Sequence, residues 1–168
     1  MRLTAQQEYG LRCMVQLART QSADCVNIVD IADREGLSVA YVAKLLRVLR
    51  KAGLVRSTRG VKGGYHLTKV PEEINAYEVL DALGGKLYAN DFCRKHSGQA
   101  RACVHVVDCG SRAMLIGLDR MIQTYLKQFK LSDLLCPEKE VREVASGHVE
   151  QLPNLLELVP RCSVGSGS

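Results

Sequence analysis

The sequence has no apolar run that approaches the roughly 20 residues a helix needs to cross a bilayer. Its first ten residues are polar and lack the apolar core of a secretory signal peptide. These absences argue against a membrane span and against secretion, so we expect a cytoplasmic protein. With 168 residues, of which 46% are hydrophobic and 24% charged, the chain is typical of a globular protein that needs no disulfide scaffold.

Motifs that mark common enzymes are also missing. The chain has no C-x-x-C pair, no glycine-rich nucleotide-binding motif and no recognisable pairing of a nucleophile with a base. These absences disfavour a small redox enzyme, such as a thiol catalyst or an electron carrier. We therefore expect a protein that is not an enzyme.

Cysteine, in contrast, is plentiful, and its odd number fits poorly with a set of disulfides. Three of the seven cysteines form a C-x9-C-x5-C pattern, namely Cys93, Cys103 and Cys109. Clustered thiols in a reducing compartment more often bind metal or sense redox state than form disulfides. Cationic and titratable residues flank them in sequence, and positive charge favours the thiolate that binds metal. Soft thiolates select iron–sulfur clusters, zinc or Cu(I), and reversibly oxidised free thiols are a further alternative.

Positive charge is concentrated in the first part of the chain. Residues 1–70 contain 12 Lys and Arg against five Asp and Glu, a net charge of +7, whereas residues 71–168 have a net charge of −2. A basic segment of this kind indicates an anionic partner such as nucleic acid or an anionic surface, although a solvated basic face would look the same.

The same basic segment contains helix boundaries. Thr4 lies three residues before a glutamine, a capping-box pattern that predicts a first helix. Asn27 and Gly36 are the candidate cap and end of a short second helix, and Ser38 and Gly53 are those of a longer third helix. The third helix has an apolar stripe of Val39, Val42, Leu46 and Leu49. A short helix, a tight turn and a longer helix predict a helix-turn-helix, whose N-terminal residues would meet base edges.

A glycine-rich loop follows between two short β-prone runs, which predicts a β-hairpin. Arg59 and Lys62 lie in this loop, where they suit contact with phosphates or with a minor groove. A hairpin that directly follows a helix-turn-helix is typical of a winged helix.

The segment from Leu45 to Val55, followed by Ser57, Arg59-Gly60 and Gly63-Gly64-Tyr65, resembles a bacterial winged-helix repressor family that includes IscR and NsrR. This resemblance covers about residues 1–130. It implies a homodimeric transcriptional regulator that binds a palindromic operator in double-stranded DNA and carries an iron–sulfur cluster, 2Fe–2S or 4Fe–4S, sensing redox state, nitric oxide or iron. The DNA-binding positions that it implies here are Ser38, Val39, Ala40, Tyr41, Lys44, Arg56, Arg59 and Lys62.

The resemblance also implies the cluster ligands. They are the three clustered cysteines, Cys93, Cys103 and Cys109, and Glu8 from the partner subunit. IscR-like members use a histidine three residues after the last cysteine, but this chain has Arg112 there, and His105 is a second candidate. The family usually has five residues between its first two cysteines, whereas this chain has nine, which leaves the cluster type open.

After the cysteines, apolar residues recur at helical spacing in a heptad-like seam, suited to pairing with a second chain or to an ordinary amphipathic helix. The seam consists of Leu115, Leu118, Ile122, Tyr125 and Phe129. We therefore expect a mainly α fold with a small β-wing, a winged helix-turn-helix domain plus a long dimerisation helix. The expected segments are a DNA-binding domain (1–85), a cluster-binding loop (86–111), the dimerisation helix (112–135) and a C-terminal segment with a short helix and a flexible tail (136–168).

Overall fold

The computed structural model describes residues 3–20, 25–60, 63–84, 95, 103–105 and 107–156, with side chains up to residue 150. The α-helices whose two ends lie within these residues are α1 (Ala5–Ala18), α2 (Ile28–Glu35), α3 (Val39–Lys51), α4 (Ala76–Gly84), α5 (Gly110–Gln128) and α6 (Glu138–Leu156). Its strands are β1 (Val55–Thr58) and β2 (Gly64–Leu67), and short 3-10 turns cover Pro71–Glu73 and Asp133–Leu135. Within this part of the chain, no helix is long and apolar enough to cross a membrane.

The helix boundaries follow from local side-chain chemistry. Thr4 and Gln7 form the full capping box of α1. The Asn27 side chain accepts a hydrogen bond from the backbone N–H of Val29 at 2.9 Å and starts α2. Gly36 ends α2 with a φ of 65°, a left-handed conformation that glycine adopts without steric cost. The Ser38 hydroxyl then accepts from the backbone N–H of Tyr41 at 3.2 Å and starts α3. These caps were predicted from the sequence and are confirmed.

Helices α1 to α4 pack around one apolar core. Its largest fully buried side chains include Met14, Ile31, Leu45, Leu46, Leu49, Ile74 and Leu131. Leu131 comes from the segment after α5, and its backbone N–H donates to the carbonyl of Ile74 at 2.8 Å. The chain therefore returns to the N-terminal unit after α5, and this return fixes the C-terminal end of α5 against the start of α4.

The predicted hairpin is an antiparallel pair. Val55 in β1 lies opposite Leu67 in β2, and Thr58 lies opposite Gly64. Tyr65 also forms a bridge with Val26, which precedes α2, so the wing is attached to the helix-turn-helix. A Cβ at Gly64 would lie 2.5 Å from the carbonyl oxygen of Val26, and only glycine permits that approach.

Three details differ from the sequence-based expectations. Val39 was expected to face the core, but it is the first residue of α3 and is 42% exposed. Phe129 lies in extended backbone just beyond α5, where it is buried. The C-terminal helix is 19 residues long, although Gly147 and Pro153 lower its helix propensity, because packing against α5 supplements propensity.

Candidate nucleic-acid interface and cysteine site

The third helix presents one polar face to solvent. Its apolar side chains, Val42, Leu45, Leu46 and Leu49, are buried in the core. Ser38, Val39 and Ala40 are exposed at its N-terminus, and Lys44 is exposed one turn later. The N-terminal end that the helix-turn-helix pattern assigns to base contact is therefore open, and it carries no acidic residue in its first turn.

Tyr41 is the exception among the predicted DNA-binding residues of α3, because its side chain is half-buried. Its ring packs edge-on against the ring of Tyr9 in α1, with centroids 6.2 Å apart and planes at 82°. The Arg12 guanidinium lies 5.5 Å from the centroid of the Tyr9 ring. Tyr41 therefore joins the recognition helix to α1, and its ring is positioned by that contact.

A buried carboxylate connects α1 to α2. The Glu35 side chain is only 5% exposed, and it accepts from Arg12 Nε and from Gln16 Nε2, both at 2.5 Å. A buried carboxylate is costly unless it is paired and hydrogen-bonded, and Glu35 has both kinds of partner. This contact holds α2 against α1, and with it the turn that positions α3.

The wing carries exposed cations. Arg56 in β1 and Arg59 in the loop are exposed, whereas Lys62 lies outside the described residues. Arg50, in the last turn of α3, donates from Nη1 to the hydroxyl of Ser57 in β1 at 3.3 Å. The recognition helix and the wing are thereby connected by a side-chain contact as well as by the chain.

Two of the three clustered cysteines lie within the described residues. Cys103 and Cys109 are free thiols, and both are partly buried. Cys109 is the N-cap of α5, where its sulfur accepts from the backbone N–H of Arg112 at 3.4 Å. A helix dipole favours negative charge at this end, as a thiolate ligand requires. Cys93 lies outside the described residues, and within them no three His, Cys, Asp or Glu side chains gather as a metal site.

The oxygen and nitrogen candidates for a fourth ligand are both accessible. Glu8 is exposed in the first turn of α1, next in sequence to Tyr9. His105 is exposed in the segment before α5. Cys25 lies elsewhere, beside the wing, with its sulfur 3.7 Å from His66 Nδ1.

A family model described as Rrf2, iron-dependent transcriptional regulator, matches residues 3–137. The chain belongs to the Rrf2 family. It is 36% identical over 143 residues to Protein rrf2 of Nitratidesulfovibrio vulgaris, with 82% of this chain and 93% of the relative covered. It is 32% identical to the HTH-type transcriptional regulator NsrR of Bacillus licheniformis, covering 87% of this chain and all of the relative. Among solved structures, T. potens IscR matches with a TM-score of 0.63 and 28% identity, over 86% of this chain and 90% of that one.

This Rrf2 protein is therefore a transcriptional regulator with a winged-helix fold, and it is not an enzyme. The mainly α fold with a two-stranded wing is confirmed, as is the resemblance to regulators of the IscR and NsrR kind.

The sequence patterns did not identify the residues of this Rrf2 chain that connect α1, α2, α3 and the wing to one another. Tyr9 and Arg12 lie three residues apart on one face of α1, a spacing that indicates a shared surface but does not identify their partners. Glu35 had no local pattern that predicted its burial. The Arg50–Ser57 contact spans α3 and β1 and depends on how the hairpin folds back.

Proposed function

We propose that this Rrf2-family protein is a homodimeric repressor whose binding to a palindromic DNA operator is controlled by an iron–sulfur cluster. One observation carries the proposal. The cationic wing and the exposed end of α3 belong to the same core as Leu131, which follows α5, and the N-cap of α5 is the free cysteine Cys109. Because its target is DNA, the protein acts in the bacterial cytoplasm.

The proposed DNA contacts are divided between the N-terminal end of α3 and the wing. Ser38, Val39, Ala40 and Lys44, with the positioned Tyr41, lie at the end of α3 that would enter a major groove. Arg56, Arg59 and Lys62 of the wing engage the backbone or the adjacent minor groove. Ala43, next to Lys44 on α3, has no side-chain group that can hydrogen-bond a base, so it adds no polar base contact.

Cys93, Cys103 and Cys109 would hold the cluster, with Glu8 of the second subunit as the fourth ligand. The donor chemistry fits, since Cys103 and Cys109 are free, partly buried thiols and Glu8 is an exposed carboxylate. When bound, the cluster would supply a redox-sensitive and nitric-oxide-sensitive centre of 2Fe–2S or 4Fe–4S type. We assign residues 1–85 to DNA binding, 86–111 to the cluster loop, 112–135 to dimerisation and 136–168 to a partly flexible C-terminal segment.

The contacts of α1 connect Glu8 to the recognition helix α3. Glu8 directly precedes Tyr9, and the Tyr9 ring packs on Tyr41 of α3. If Glu8 holds the cluster of the other subunit, α1 is tied across the dimer and α3 is held with it. Release of Glu8 would free this restraint and change the spacing of the two recognition helices. A coupling of a few kcal/mol would change operator occupancy greatly.

An anaerobic preparation of the full chain tests the cofactor. We expect visible absorption together with iron and acid-labile sulfide, all three lost in a Cys103→Ala variant. Glu8→Ala should change the spectrum and shorten cluster lifetime, whereas Glu72→Ala, which removes another exposed carboxylate, should change neither. A Glu8→Ala protein with the spectrum and cluster lifetime of the wild type would overturn that ligand assignment.

A regulator that senses through free thiols and carries no cluster is the second candidate. The partial exposure of Cys103 and Cys109 favours it, because accessible thiols oxidise reversibly. A colourless protein without iron and sulfide, whose DNA binding still responds to peroxide and to reductant, would establish this alternative. Zinc bound to the purified protein in place of iron would identify the cysteines as a zinc site.

Binding to DNA fragments tests the wing. Arg59→Ala should weaken operator binding and reduce the slope of log K against log salt by about 0.9 if one phosphate contact is lost. The control is Arg34→Ala, which removes an exposed arginine at the last turn of α2. Equal affinity of Arg59→Ala and wild type at matched salt would remove Arg59 from the interface.

A further inference from the structure

A cationic cleft lies beside the wing and is separate from the recognition end of α3. It has a volume of about 590 Å³ and opens between the C-terminal end of α3, strand β1 and the two residues that follow β2. Arg50, Arg56 and Lys69 line it, together with the hydroxyl-bearing Ser57 and Thr68. None of the described residues that line it is acidic.

Two hydrogen bonds fix the shape of this cleft. Arg50 Nη1 donates to Ser57 Oγ at 3.3 Å, which holds one guanidinium against β1. Thr68 Oγ1 donates to the carbonyl of Gly53 at 2.6 Å and joins the end of β2 to the turn after α3. Lys69 also lines a neighbouring hollow together with Glu78 and Asp81, whereas Arg50 and Arg56 do not. Cations that converge without an acidic lining residue favour an anion.

The position of the cleft indicates which anion it receives. A winged helix that places α3 in a major groove and its loop in the adjacent minor groove must pass over the sugar-phosphate strand that separates them. That strand runs between the recognition helix and the wing, and the cleft lies between α3 and β1. Guanidinium groups match the oxygens of a phosphate diester in geometry and in charge.

We propose that the cleft binds a phosphate diester of the DNA strand that separates the two grooves, with Arg50 and Arg56 as its cationic ligands and Lys69 at its rim. The proposal rests on the proposed DNA-binding function and adds Arg50 and Lys69 to the interface. Because phosphate contacts position a protein without reading bases, the cleft serves specific and non-specific DNA alike. The bound phosphate would also hold the recognition helix and the wing at a fixed separation.

Fluorescence anisotropy tests the proposal with the full chain and a labelled 30-base-pair duplex of mixed sequence, over a series of salt concentrations. Arg50→Gln should weaken binding by about tenfold at low salt and lower the salt slope by about 0.9, the value for one phosphate contact. Lys51→Gln is the matched control, since it removes an exposed positive charge next in sequence, outside the cleft. It should change affinity by less than about twofold, because screened charges away from phosphates contribute little.

Further variants separate the possible outcomes. Lys69→Gln should weaken duplex binding less than Arg50→Gln does. Arg50→Lys, which keeps the positive charge, should restore most of the salt dependence of binding. If the wild type binds duplex DNA but Arg50→Gln and Lys51→Gln bind equally well, the cleft assignment is overturned and DNA binding stands. A wild type that binds no duplex at all would overturn both. Saturable binding of inorganic phosphate, lost in Arg50→Gln while duplex affinity is unchanged, would show a small-anion site instead.

Discussion

At the scale of single residues, burial separates the cysteines by chemistry. Cys13 is fully buried in α1, and its pKa rises to about 12, first because burial removes solvent from the thiolate and then because Glu35 is negatively charged. Cys13 is therefore a protonated core thiol at neutral pH. Cys103 and Cys109 are partly exposed and remain the candidates for ligation.

The raised pKa of Cys13 predicts a loss of stability at high pH. An unfolded thiol loses its proton near its ordinary value of 9.0, whereas the folded thiol keeps its proton up to about pH 12. The folded state thus binds more protons in this window, and the free energy of unfolding falls as pH rises through it. Between pH 9 and 12 the wild type should lose up to about 1.4 kcal/mol per pH unit relative to Cys13→Ala, measured by denaturant unfolding.

Exposed Cys136 supplies the control for this measurement. Cys136→Ala should follow the wild type across the same pH range, because this substitution leaves the buried thiol of Cys13 in place. If Cys13→Ala and the wild type lose stability in parallel from pH 9 upwards, the thiol of Cys13 ionises in the folded protein.

At the scale of elements, local chemistry explains what the sequence could predict. The caps at Thr4, Asn27 and Ser38 and the left-handed Gly36 act within a few residues, so they are readable from spacing alone. Long-range contacts are not readable in this way. The burial of Leu131 under Ile74 joins positions 57 residues apart, and neither segment has a pattern that identifies the other.

The candidate site shows the same division. The exposed positions at the N-terminus of α3 and the arginines of the wing follow from helix periodicity and from the hairpin. The half-burial of Tyr41 does not, because it depends on the ring of Tyr9 in a helix that precedes it by two elements. The contact of Arg50 with Ser57 similarly requires the hairpin to fold back beside α3.

Helices α1 and α4 approach closely at Gly10, which predicts that this position is sensitive to substitution. A Cβ on Gly10 would lie 2.4 Å from Leu83 Cδ1, and Leu83 is only 2% exposed, so it has little room to move. Gly10→Ala should destabilise the protein by about 1–3 kcal/mol, the usual cost of overpacking a core, measured by denaturant unfolding.

Gly147 in α6 is the matched control for this substitution, since a Cβ there meets nothing within 4 Å. Gly147→Ala should leave stability unchanged or raise it by up to about 1 kcal/mol through helix propensity. A Gly10→Ala protein as stable as Gly147→Ala would mean that Leu83 adopts another rotamer at no cost, and that the two helices are not held by this contact.

At the scale of the whole molecule, α5 and α6 extend the fold beyond the core that α1 to α4 form. The ring of His148 in α6 packs edge-on against Phe129, with centroids 4.7 Å apart, and lies 6.5 Å from the ring of Tyr125. Part of the predicted seam is thus used within the chain. Leu118 of the seam is 42% exposed, and Met114, four residues before it on α5 and outside the predicted seam, is 65% exposed.

This exposed apolar strip predicts where two chains of the proposed dimer meet. The hollow next to it, of about 330 Å³, is lined by Met121, Ile122, Tyr125 and Val149, so the apolar surface continues along α5. A helical seam of this kind is the geometry in which two helices bury side chains against each other. The double variant Met114→Glu and Leu118→Glu would bury carboxylates there and should raise the dimer dissociation constant by at least about 100-fold, or about 3 kcal/mol.

Sedimentation equilibrium measures this change, with Arg120→Glu as the control because it places a carboxylate at an exposed polar position of the same helix. The wild type and Arg120→Glu should sediment with the mass of two chains, and the double variant with the mass of one. The double variant should also bind a palindromic duplex with the affinity of a single half-site, since its two heads are no longer joined. A double variant that remains dimeric would place the contact between chains elsewhere and leave the strip on α5 without this role.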